Sequence, residues 1–146
     1  MADTTLAAMD AIMRIRDAQC AAARAEVMAA EADLGQMRDA ERQSLADRDA
    51  AAGAWLAVLQ ARRPDPALTQ LAGRWLVDRD KGLQAARIDT GIAQGGLDAA
   101  VERHQRSRAK LDASSEIAER LHRGMARTRD ARSLVEAADA YLRRRA

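Results

Sequence analysis

Apolar residues recur at seven-residue spacing on both sides of one proline-bearing break. Before the break, one series runs Leu6, Met13, Cys20, Val27, Leu34, and its companion position reads Met9, Arg16, Ala23, Ala30, Met37. The series then meets Glu41. It returns to large apolar residues only if four residues are inserted, giving Leu45, Ala52 and Leu59 with Arg48 and Trp55 between them. Such an insertion is a stutter, which locally unwinds a supercoil. After the break the spacing of seven gives Leu76, Leu83, Thr90, Leu97, His104, Leu111, Ala118 and Met125. Heptads sustained over this length predict coiled-coil helices.

The break is Arg62-Arg63-Pro64-Asp65-Pro66, which holds both prolines of the chain. Pro64 disfavours helical dihedrals at Arg63, so the first helix should end near residue 62. Asp65 followed by proline reads as a helix start, an acceptor for free amides ahead of a residue pre-set for the first turn. A link this short favours antiparallel neighbours. Pairing Leu6 with Met125, Cys20 with Leu111 and Leu34 with Leu97 centres the hairpin near Asp65, the same point at which the prolines predict the turn. The expected fold class is therefore all-α: an antiparallel two-helix coiled-coil hairpin, a single elongated domain over 1–146. Its parts are a first helix over 4–62, a turn at 63–66 and a longer second helix over 66–143. Gly91, Gly95 and Gly96 lie inside that second helix, and each costs about 1 kcal/mol relative to Ala. They predict a bent or weakened stretch at 91–96.

Composition agrees with long helices. The chain has 146 residues, of which 36 are Ala, and its only aromatic residues are Trp55, Trp75 and Tyr141. So few large side chains cannot fill the core of a sandwich or an α/β domain. Residues 1–62 carry seven basic and ten acidic groups, whereas 97–146 carry twelve basic and eight acidic. An acidic helix beside a basic one favours pairing within the chain, although exposed ion pairs contribute only about 0–1 kcal/mol each.

Catalytic chemistry finds no foothold, and no active site or cofactor is assigned. His104 falls on the heptad seam, where a polar residue sets register, and Cys20 reads as a small buried hydrophobe. Ligands at zinc-like spacing are absent. Gly95-Gly96 precedes no Lys-Ser/Thr pair of a phosphate loop. The basic stretch Arg103, Arg106, Arg108, Lys110 and onward to Arg132 would suit phosphate contacts. Acidic residues interrupt it, however, and no aromatics interleave to stack bases, so nucleic acid is not an expected partner. No apolar run reaches the ~18 residues of a membrane span. The opening Met1–Leu6 shows neither a basic nor an apolar leader region, so a cytoplasmic protein is expected.

Two surfaces suggest interaction. With the helices paired as above, Ala131 to Ala146 has nothing from the first helix to cover it, about 24 Å of helix at 1.5 Å per residue. That overhang keeps an amphipathic face of Leu134, Val135, Ala138, Tyr141 and Leu142, followed by Arg143, Arg144 and Arg145. Bare apolar surface marks an interaction site. The hairpin tip is the second surface: Trp55, Leu56, Val58, Leu59, Leu71, Trp75, Leu76 and Val77 are more apolar than a two-helix seam can hide. Trp75, Leu76, Arg79 and Leu83 are the expected contacts there, tryptophan and arginine being types enriched at binding hot spots.

In its layout the chain resembles the FliJ/YscO family of stalk proteins from flagellar and virulence type III export machines. The shared features are two long helices, a Pro-containing turn before mid-chain, a longer second helix, an Arg/Ala/Leu/Glu composition and a Met1–Leu6 start running straight into helix. The resemblance spans the whole chain. It implies a non-enzymatic coiled coil at the cytoplasmic side of a membrane-embedded export apparatus. Leu134–Leu142 with Arg143–Arg145 would sit in a hexameric export ATPase, promoting ring assembly and hydrolysis. The region Trp75–Leu83 would face the cytosolic domain of the export gate, and escort chaperones are a further class of partner. The poverty of large apolar residues at Gly91–Gly96 departs from a rigid stalk. Two alternatives stand beside this reading: a structural coiled coil that self-associates by burying the overhang in a second copy, and an Arg-rich nucleic-acid binder.

Overall fold

The computed structural model describes residues 2–145, with the side chains of residues 4–141, 143 and 144. Its architecture is all-α. Two long helices, α1 (Ala2–Leu59) and α2 (Pro66–Arg145), pack against each other. The chain divides into two compact units, one of residues 1–23 with 103–146 and one of residues 24–102.

Within the second unit the cross-helix contacts give the antiparallel register directly. Arg38 donates to Gln94 Oε1 at 3.2 Å, Arg87 lies 3.6 Å from Glu41, and Arg79 lies 3.8 Å from Asp47. Nearest the turn, a Cβ at Gly73 would touch Trp55 at 3.5 Å. Rising numbers on α1 meet falling numbers on α2.

Burial along α1 follows one unbroken heptad. Its inward positions are Leu6, Met9, Met13, Arg16, Cys20, Ala23, Val27, Ala30, Leu34 and Met37, and the same spacing continues through Glu41, Ser44, Arg48, Ala51, Trp55 and Val58. The stutter predicted at Glu41 is not present: Leu45 and Leu59 are exposed, and the seam keeps its period through two charged residues. The physical reason is that a half-buried Glu or Arg can lay its methylene stem on the seam and hold its charged end outside. Glu41 does this while meeting Arg87 across the seam. Arg48 reaches Asp49 through its outer nitrogen at 2.9 Å, although the Nε atoms of Arg48 and Arg16 are buried without a hydrogen-bond partner.

The α2 seam keeps the same spacing from Thr69 to Met125 and includes Leu83, Ala100 and Ser114 as its most buried members. Ser114 is satisfied within its own helix, donating to the Lys110 carbonyl at 2.9 Å. The helix is uninterrupted through Gly91–Gly96. Side chains on the seam side brace this stretch: Gln94 accepts from Arg38 and donates to Asp98 at 3.0 Å. Thr90 Oγ1 lies 3.0 Å from the Ala86 carbonyl and 3.3 Å from the Met37 carbonyl of α1.

The turn begins earlier than Pro64 alone requires. Gln60 N–H still reaches the Leu56 carbonyl, but Ala61 N–H reaches back only three residues, to Val58 at 3.4 Å, so the last turn tightens and α1 stops at Leu59. The start of α2 matches its sequence signal. Asp65 Oδ1 accepts from Ala67 N–H at 2.8 Å, and the Asp65 carbonyl accepts from both Thr69 N–H and Thr69 Oγ1 at 2.9 Å. Asp65→Ala is expected to lower stability by about 1 kcal/mol, read from a chemical denaturation curve. Asp65→Asn, which keeps the acceptor, should recover most of it.

Candidate functional site

Past Met125 the seam ends. Every described side chain from Ala126 to Tyr141, with Arg143 and Arg144, is exposed. Leu134 is 71% exposed, Val135 61% and Tyr141 57%, and Ala138 completes the same helix face. The predicted apolar stripe is therefore in open solvent, on regular helix. The side chains of Leu142 and Arg145, expected on this surface, lie outside the described residues. The hydroxyls on the approach to the stripe are satisfied within the helix: Thr128 Oγ1 donates to the Gly124 carbonyl at 3.0 Å and Ser133 Oγ to the Asp130 carbonyl at 2.8 Å. Upstream, Arg120–Glu116 and Arg123–Glu119 form ion pairs one turn apart. These charges line the helix surface rather than converge on a centre.

The tip holds a shallow groove of about 590 Å³ lined by Val58, Leu68, Leu71, Ala72, Arg74, Trp75 and Asp78. Trp75 is half open to solvent, and the Arg79 guanidinium stands 6.0 Å from its ring centroid, the outer limit of a cation–π contact. Arg79 also reaches Asp47 on α1, so it ties Trp75 to the other helix. Of the four tip residues expected from the sequence, Trp75 and Arg79 line the surface and two do not. Leu83 is only 1% exposed and Leu76 is half-buried, both on the seam. Leu83 is thus a core residue and not a partner contact, because its heptad position turns it toward α1. Among the lining residues absent from the sequence reading, Leu68 is the large apolar one. It lies one turn before Leu71 and two turns before Trp75, so the i, i+3, i+7 spacing could have shown it.

Among the described residues there is no cluster of three or more His, Cys, Asp or Glu placed to hold a metal ion, and no helix is long and apolar enough to cross a membrane. Fold and surface together define an all-α helical hairpin with an uncovered amphipathic helix end. No family model, curated protein or solved structure matches the chain.

Proposed function

We propose that this chain is a non-enzymatic coiled-coil stalk of a flagellar-type protein export apparatus, whose C-terminal helix docks in a hexameric export ATPase. The observation that supports the reading is the stripe of Leu134, Val135 and Tyr141, regular in helix and open to solvent where the seam has ended. Leucine, valine and tyrosine at that exposure suit insertion into a protein cleft. The tip groove beside Trp75 would serve the export gate, and chaperones would bind as cargo escorts. The chain would contribute coupling without chemistry of its own: one helix inside a ring of six touches some subunits and not others. It can shift their states only by as much as its affinity for those states differs.

The test uses the full chain with a purified export ATPase. Wild type is expected to bind the hexamer and raise its ATP hydrolysis. Leu134→Asp with Val135→Asp should lose both effects while its helical circular dichroism and melting midpoint stay unchanged, because neither side chain is part of the seam. Equal binding by the double variant would refute docking through this stripe.

A further inference from the structure

The outward face of α2 carries a further apolar surface, separate from the tip groove and from the stripe that supports the stalk reading. Ile88 is 64% exposed and Ile92 69%, and Gly91 and Gly95 lie between and beside them on the same face. These glycines serve nothing inside the chain: a Cβ added at either would meet no atom within 4 Å, so α1 does not need them small. Exposed glycine in the middle of a helix weakens it. Here the gain is a flat patch where another helix backbone could come close, flanked by two protruding isoleucines.

We infer that this face pairs with the same face of a second copy, antiparallel, about a two-fold axis passing between Gly91 and Ile92. Any helix stripe maps onto itself under such an axis; this one is distinguished by the residues that then meet. Ile88 of one copy falls opposite Gly95 of the other, and Ile92 opposite Gly91, so each protrusion meets a hollow. At the ends of the stripe Lys81 falls opposite Glu102, with Asp98 one turn nearer the axis. The lysine of each copy thus faces two carboxylates of the other. Two-fold symmetry repeats every one of these contacts, as an isologous interface requires. No like-charged pair lies opposite along the stripe. The contact spans residues 81–102, about 33 Å of helix, and one helix pair falls below the area of a permanent interface. The dimer is accordingly weak, with a Kd on the order of 10–100 µM.

Sedimentation equilibrium of the full chain from about 5 to 500 µM tests this. Wild type should pass from monomer to dimer over that range. Ile88→Glu lies at an exposed position and should leave helicity intact while weakening the dimer by at least about tenfold, since the change enters the interface twice. Lys81→Glu should weaken it by about fivefold, and adding Glu102→Lys should restore it, because the pair is then reversed rather than lost. Leu134→Asp should change nothing, which separates this interface from the C-terminal stripe. A chain that stays monomeric to 500 µM overturns the proposal. So does a dimer that survives Ile88→Glu, or one that Lys81→Glu weakens and Glu102→Lys fails to rescue.

Discussion

Replacing Leu83 by Ala is expected to lower the stability of the hairpin by about 2–4 kcal/mol, read as a shift of the denaturation midpoint followed by helical circular dichroism. Leu83, at 1% exposure, is the most completely buried of the large side chains in the described structure, ahead of Leu34 and Met9, and half of its companions in the core are the alanines Ala23, Ala51 and Ala100. Removing three heavy atoms costs their transfer from water plus the cavity left behind. The cavity term is kept moderate by a thin seam, whose helices can settle together more readily than the walls of a globular core. Leu71→Ala, at an exposed position on the same helix, should cost no more than about 0.5 kcal/mol. If the two substitutions had equal effects, the placement of Leu83 on the seam would be wrong.

A change in the opposite direction is expected when Gly91, Gly95 and Gly96 are all replaced by Ala. The helix is regular across them, none has a positive φ, and the added methyl groups meet nothing within 4 Å. Each substitution removes backbone freedom from the unfolded chain without strain in the folded one, worth up to about 1 kcal/mol apiece. The triple variant should therefore gain about 2–3 kcal/mol, visible as a higher melting midpoint at a protein concentration where the chain is monomeric. If the two-fold interface is correct, the same variant dimerises less well than wild type, because its methyl groups hold the helices apart. Stability and association would then move in opposite directions, which no general loosening of the helix could produce.

The exposed stripe at Leu134–Tyr141 was legible in the sequence because both of its ingredients are local. The apolar spacing sets the face, and the heptad series of α2 reaches Met125 and goes no further with a partner. The tip was legible only in part. Trp75, Leu76, Arg79 and Leu83 lie within three turns of one another on α2, and hydrophobicity alone does not say which of them turn outward. Leu76 and Leu83 already stood in the seven-residue series, and period was the better guide than proximity to the turn. The same lesson applies at Glu41. Following the largest apolar residues suggested a stutter, whereas the chain keeps its period and lets Glu41 and Arg48 occupy the seam by their stems.

The sequence by itself determined the helices, the reversal and the approximate register. Helix follows from Ala-rich heptads, the reversal from two prolines around a capping aspartate, and the register from the position of that cap, all set by interactions within a few residues. Only the tertiary structure decided that the seam of α1 runs on through Glu41 and Arg48, and that Leu45 and Leu59 are left outside it. Those outcomes depend on the rotation of each helix about its own axis against the other. Rotation is chosen by the sum of many small contacts along the seam, and no short stretch of the chain contains that sum.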